Sequence, residues 1–482
     1  MRARVGQTRV MDALWKMTAG QLATAIAQRE VSSSEVLEAH LRRIEDVNPY
    51  LNAIVGIMQT EARDAAERAD AAVEAGESLG PLHGVPVSIK ENVDVAGTPT
   101  TQGLTALAEA IADRDAPVVE RLRSAGAIVF ARTNMPDVGL RIHTDSQLHG
   151  LTRNPWNPAV TAGGSSGGEA SALAAGMTPL GIGNDIGGSL RNPAHCCGIA
   201  SIKPTTGLVP QATVIEPIAP NLAAQLMSVT GPMARSVSDV RTALGIIAGA
   251  DRRDPVSVPA TLSRRPVGER LRIAVLPEPP GGSTAPGIAA GVRRAADVLA
   301  NAGHDVVEVA GESAPPRYEE LIMLWSGLLA SDLAVQAPLL RAVMGEAGTV
   351  VIDQFLATAA EIGPADVFSI HTERYLAMAQ WSQYFEQYPI LLTPTWSLRA
   401  FEHDADLADG GAGIVLETFR SVLHANFLGL PAAVVPAAID DGLPVGVQVI
   451  GDRFDDLVCL DIAEEIEHAL GAITPIDPVT AT

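Results

Sequence analysis

Between Gly163 and Thr205 the chain reads GGSSGGEASALAAGMTPLGIGNDIGGSLRNPAHCCGIASIKPT, with Ser165, Ser166, Ser171, Ser189 and Ser201 set in glycine. A serine hydroxyl attacks a carbonyl carbon only when a base takes its proton. Two of the five stand in patterns that suit such chemistry. Ser165 lies in Gly163-Gly164-Ser165-Ser166-Gly167, a match to the G-x-S-x-G turn on which hydrolases present a nucleophile. Ser189 closes GNDIGGS, where glycines let the backbone approach a substrate closely and the N–H groups of Ile186, Gly187, Gly188 and Ser189 can converge on one point. Such a point is an oxyanion hole, and one donor in it is worth about 3 kcal/mol of transition-state stabilisation. A plain glycine turn fits the same letters. A phosphate cradle fits worse, because no G-K-[ST] follows and the spacing is not G-x-G-x-x-G.

The elements needed around each serine separate the two. A nucleophile turn requires a strand leading in and a helix leading out. After Ser165 the Ala-rich EASALAAG supplies the helix, but TRNPWNPAVTA before it carries Pro155 and Pro158, which break a central strand. The base is less legible. None of the ten histidines sits in a motif that marks it, and His195 is merely the nearest. Lys90 ends the alternating Val85, Val87, Ile89, which reads as a strand. Burial there would disfavour the ammonium and lower its pKa, leaving an amine able to accept a proton. Spacing alone reads a lone lysine in that place as a solvated strand end.

The rest of the chain reads as a scaffold for these segments. Thr18/Gln21 and Ser32/Glu35 are capping-box pairs opening two N-terminal helices, and residues 60–77 form a charged third. Residues 115–125 read as a helix and AIVFART after them as a strand, LRIAVL (271–276) as a strand and 287–302 as a helix. GPMARSVSDVRTALGIIAG reads as a helix entered through a loop, and 252–270 as a long surface loop. YPILLTPT and two strands around Asp440-Asp441-Gly442, a hairpin signal, end the pattern. Such alternation predicts an α/β fold: a single large domain with a mixed, mostly parallel twisted sheet and helices on both faces. Its parts are N-terminal helices at 11–80, a core at 81–250, a helical insertion at about 313–388 that shapes the substrate entrance, and C-terminal core strands at 389–455.

Composition bounds the function. Of 482 residues 47% are hydrophobic and only 4% aromatic, so small aliphatic side chains must build the core. With 34 Lys and Arg against 56 Asp and Glu, the net charge of −22 disfavours nucleic acid as a partner. Cys196, Cys197 and Cys459 form neither a disulfide framework nor a CxxC zinc pair and read as small core residues. No cofactor or metal is expected. The opening MRARVGQTRVMDALWKM lacks an uninterrupted apolar segment, and no run reaches the ~18 apolar residues of a membrane span, so a cytoplasmic protein is expected.

Taken together, PLHGVPVSIKENVDVAGTPTT, TNMPDVG, NPWNP, GGSSGGEASALAAG, GNDIGGSLRNPAHCCGI, KPTTG, GPMARSV, LLTPT and GLPVGVQVIGDRF resemble the amidase signature family, in its order, from about residue 10 to 460. The resemblance implies a triad of Lys90, Ser165 behind a non-proline cis peptide, and Ser189 as nucleophile. It implies oxyanion donors on Ile186, Gly187, Gly188 and Ser189, a supporting pair in Asp185 and Arg191, and a supporting Ser166. Gly139 falls where relatives line the acyl pocket, and a glycine there implies room for a bulky acyl group. Asn184 departs from the family's usual Thr or Ser, and Ala200-Ser201 from its glycine-containing segment. The implied activity is hydrolysis of small-molecule amides, with aryl esters and carbamates within reach of the same oxyanion chemistry. Alternatives are the A-type subunit of a glutamyl-tRNA amidotransferase and a non-catalytic scaffold. A homodimer is common among such proteins. Pocket shape is expected to depend on loops at about 139–149, 210–225 and 313–388.

Overall fold

The computed structural model describes residues 14–262, 266, 268–358 and 362–480. Residues 1–13, on which most of the reading of the N-terminus rests, lie outside them, as do four positions of the 252–270 loop.

The strands are β1 (Ile54–Ile57), β2 (Pro86–Lys90), β3 (Ile128–Thr133), β4 (Asp145–Ser146), β5 (Gly150–Leu151), β6 (Leu180–Asp185), β7 (Ala200–Lys203), β8 (Val229–Ala234), β9 (Arg272–Val275), β10 (Asp305–Glu308), β11 (Ile390–Pro394), β12 (Ala432–Asp440) and β13 (Leu443–Gly451). Eleven of them form one sheet in the order β1-β3-β2-β6-β8-β7-β12-β13-β11-β9-β10, and β4 pairs with β5. The α/β class, the single domain and the mixed sheet are as expected. The predominance of parallel pairing is not. Only β2–β3, β2–β6, β9–β11 and β9–β10 are parallel, and the six pairings from β6 to β11 and at β1 are antiparallel. The difference lies in β7 and β8. Gly231 and Pro232 carry loop chemistry in sequence, yet GPMA is the strand half of its segment, paired with β6 and β7, and the helix begins only at Val237.

Local chemistry explains the elements that were legible. Both N-terminal capping boxes form, at Thr18 and Ser32. At the β12–β13 hairpin Asp441 and Gly442 both take positive φ, 51° and 77°, the conformation of a two-residue turn matched to strand twist.

The core is built from small aliphatics. Val87, Ile89, Ile182, Ile202, Val435 and Val447 are buried in one cluster beside Val240, Leu244, Val292 and Ile462 of the covering helices. A second cluster holds the helices Gly167–Ala174 and Arg191–Cys197 together with the 313–388 segment. That segment is helical, as expected: Tyr318–Val343, Glu346–Thr358 and Pro364–Gln387. The first has the length and hydropathy of a membrane span, a feature the count of unbroken apolar residues misses because Ser326, Asp332 and Gln336 interrupt it. Its apolar side chains Leu321, Trp325, Leu328, Leu329 and Leu333 instead fill the second core cluster.

Candidate active site

Three neighbouring segments meet at the ends of β2 and β6. Lys90 closes β2, every residue of which is buried, and its side chain is shut off from solvent. Its Nζ lies 2.7 Å from Ser165 Oγ and donates to Asn184 Oδ1 at 2.6 Å. Burial pushes this amine down to about 7, against the opposing pull of the Asp185 and Glu169 carboxylates. The strand end is therefore not solvated. Glu169, on the helix after Ser166, is itself raised to about 7 by burial and takes hydrogen bonds from the Ser88 and Thr133 hydroxyls.

Burial alone does not mark a base. Lys203 is also buried and lowered to about 7, but its Nζ donates to the Pro204 carbonyl. His195 is buried too, lowered to about 4, with Nδ1 accepting the Gly446 N–H at 3.0 Å. Lys90 differs in having a serine hydroxyl within reach.

The Gly164–Ser165 peptide is cis. No strand leads into Ser165, so the turn reading of its pentapeptide fails on context, as the prolines indicate. The strand–turn–helix context sits at the other serine. β6 runs to Asp185, the loop 186–190 turns, and the helix Arg191–Cys197 follows. Ser189 is on that loop, 7% exposed, whereas Ser165 is 2% exposed. Ser166 ties the two loops together, with its N–H donating to the Ser189 carbonyl at 3.3 Å and its hydroxyl to the Asn184 carbonyl at 3.4 Å.

The Ser189 loop is held by a fully buried ion pair. Arg191 Nε and Nη2 each lie 3.0 Å from the Asp185 carboxylate. Burial would raise that carboxyl, but the guanidinium outweighs it and holds it at about 2. Asp185 Oδ1 also accepts the Gly188 N–H at 2.7 Å, and Oδ2 the Leu190 N–H. This corrects one expected donor. The Gly188 N–H is committed to Asp185, which leaves Ile186, Gly187 and Ser189 as the remaining expected donors. Gly188 serves the loop through its φ of +97°, with Asn192 where a Cβ would stand. The space a Cβ at Gly139 would enter is bounded by Ser165 Oγ at 3.3 Å and Met135 Cε at 3.4 Å, so this glycine leaves room directly beside the serine.

Arg191 further donates to the Asn426 and Gln448 side chains and the Val422 carbonyl. Replacing it with methionine would strand a buried carboxylate, at a cost of about 3–5 kcal/mol. Arg191→Met is expected to lose that much in urea unfolding; a loss below about 1 kcal/mol, as for an exposed pair, would contradict this account.

A cavity opens beside Leu140 and the helix of Trp325. Leu140, Ile142, Phe355 and Phe419 give its wall apolar faces, and Arg141, Ser326, Gln354 and Asp406 line it too. Leu140 follows Gly139 in sequence, while Phe355 and Phe419 contact the ring of Trp325, which donates its indole N–H to the Ile186 carbonyl at 3.0 Å. Trp325, Phe355 and Asn184 were not foreseen as site residues. The only signal for Asn184 was its departure from the expected residue type, and the helical segment carrying the two aromatics has no motif. Among the described residues, no cluster of three His, Cys, Asp or Glu side chains is placed to hold a metal.

The family model for Amidase matches residues 35–460. The chain belongs to the amidase signature family. An indoleacetamide hydrolase of Bradyrhizobium diazoefficiens is 40% identical over 95% of this chain and 88% of its own length. The A-type subunit of the glutamyl-tRNA(Gln) amidotransferase of Salinispora arenicola is 32% identical, covering 96% and 99%. The crystal structure of a bacterial aryl acylamidase of the amidase signature family superposes with a TM-score of 0.81 at 27% identity, over 94% of this chain and 96% of that one. This amidase signature enzyme is an amidohydrolase that acts on amides.

Proposed function

We propose that the enzyme cleaves the C–N bond of small amides through an acyl-enzyme on Ser189, with Ser165 and Lys90 moving the protons. The observation that carries this is the buried amine of Lys90, 2.7 Å from Ser165 Oγ and lowered to about 7. As Ser189 Oγ bonds to the amide carbon, its proton passes to Ser165 Oγ and the proton of Ser165 passes to Lys90 Nζ. The negative charge goes to the carbonyl oxygen, facing the N–H groups of Ile186, Gly187 and Ser189. The C–N bond then breaks, and the Lys90 ammonium returns its proton through Ser165 to the leaving nitrogen. Water enters by the same route, giving the carboxylic acid and free Ser189. Asn184 Oδ1 faces the Lys90 amine throughout and stabilises it when it is charged.

Phe355 and Phe419 in the cavity wall and the indoleacetamide relative support a neutral amide with an aryl-bearing acyl group as the substrate. Aryl esters and carbamates pass through the same tetrahedral oxyanion and are expected to react too. The amidotransferase reading is favoured by the Salinispora relative, whereas the aromatic rings of Phe355 and Phe419 in the cavity wall favour an aryl-bearing acyl group. Three free, buried thiols suit a reducing compartment such as the cytoplasm. Purified enzyme offered arylacetamides, phenyl esters, phenyl carbamates and glutamine decides between the readings. Arylacetamide turnover without glutaminase activity is expected; ammonia from glutamine alone would overturn the assignment.

A further inference from the structure

A trans peptide points its C=O and the following N–H in opposite directions. Fixing the carbonyl of one residue therefore aims the amide of the next. The Ser189 loop is fixed in this way at successive peptides. Asn192 Nδ2 donates to the Gly187 carbonyl at 3.2 Å, and the Gly188 N–H goes the other way, to Asp185. The Asn192 N–H donates to the Gly188 carbonyl at 2.6 Å, which aims the Ser189 N–H. The peptide between Ile186 and Gly187 is held from outside the loop. The indole N–H of Trp325 donates to the Ile186 carbonyl at 3.0 Å, and the same ring stands 3.0 Å from where a Cβ on Gly187 would be.

Trp325 is 1% exposed. Its ring centroid lies 5.4 Å from that of Phe419 and 6.3 Å from that of Phe355, two aromatic residues of the cavity wall. One indole thus touches the loop on one side and the cavity wall on the other. We propose that Trp325 positions the oxyanion loop, aiming the Gly187 N–H, and that its contact with Phe355 and Phe419 makes that aim depend on what fills the cavity. An aryl acyl group packed against the two phenyl rings braces the indole in the position it holds against the loop. A small acyl group gives it no such backing. Aryl acyl amides are then preferred in turnover rather than in binding, because an oxyanion donor acts where charge develops.

This inference rests on the amidase reading of Ser189, and the test separates the two. Phenylacetamide and acetamide kinetics are measured for the wild type, Trp325→Phe and Phe419→Leu, with thermal melting of each. Trp325→Phe keeps a smaller aromatic ring and loses the N–H. Its kcat for phenylacetamide should fall about 10- to 100-fold, short of the loss of a whole donor, with KM within about twofold. Phe419→Leu leaves the hydrogen bond intact and should lower the phenylacetamide kcat about fivefold or more while sparing acetamide. An unchanged kcat in Trp325→Phe beside an active wild type overturns this inference alone. So does a loss that appears in KM together with the melting temperature, which a merely structural tryptophan would give. A wild type inactive on both amides overturns the amidase reading and this inference with it.

Discussion

Ser189→Ala is expected to abolish amide turnover, with kcat lower by about 10⁵-fold or more, because in the proposed mechanism Ser189 alone forms the acyl-enzyme. The protein should stay folded. The Ser189 carbonyl that accepts the Ser166 N–H and the Asp185–Arg191 pair that holds the loop are untouched by loss of the hydroxyl. Ser165→Ala removes the proton path but leaves the nucleophile and the N–H donors in place. Its loss should be smaller, about 10³-fold, with better survival on phenyl esters, whose leaving group needs no proton. Steady-state assays of both variants on arylacetamide and phenyl ester check this. Equal losses on both substrates for Ser165→Ala would contradict the relay.

The second large effect is on pH. In the proposed relay Lys90 must be neutral to accept the proton of Ser165, and the neutral fraction grows with pH. Its pKa is lowered to about 7, so kcat/KM should fall tenfold per pH unit below that value and level off above it. Lys90→Ala should lose about 10³-fold or more at pH 8 and lose the acid limb with it. Two other groups face this amine. Asp185, held at about 2, stays charged throughout. Glu169 titrates in the same range and supplies the control. Glu169→Gln keeps an acceptor for one of the Ser88 and Thr133 hydroxyls, turns an N–H to the other, and removes the ionisation. The limb should survive in it, displaced slightly downward by the loss of a nearby negative charge. A limb that disappears in Glu169→Gln and persists in Lys90→Ala would reverse the assignment.

Much of this was legible in the chain, unevenly. Capping boxes, the Asp-Gly hairpin turn and alternating strands such as β2 and β3 depend on neighbouring residues, so letters suffice for them. β7 and β8 depend on partners far along the chain. A strand that contains Gly231 and Pro232 is set by the edges of β6 and β7 beside it, and no local rule finds it. The site divides in the same way. The glycines around Ser189 advertise backbone donors, yet only the fold shows that the Gly188 N–H is taken by Asp185. Lys90 at the end of a strand is ambiguous in letters, because burial is a tertiary property. The resemblance, not the spacing, singled it out. Trp325 is wholly tertiary: 139 positions separate it from the carbonyl it holds.

The central claim is that Ser189, not Ser165, carries the acyl group. It is tested most directly by acid-quenching the enzyme during turnover of a phenyl ester and mapping the acylated peptide by mass spectrometry. One added acyl group is expected on Ser189, absent in Ser189→Ala and slower to form in Lys90→Ala. An acyl group on Ser165, or labelling that survives Ser189→Ala, would contradict it.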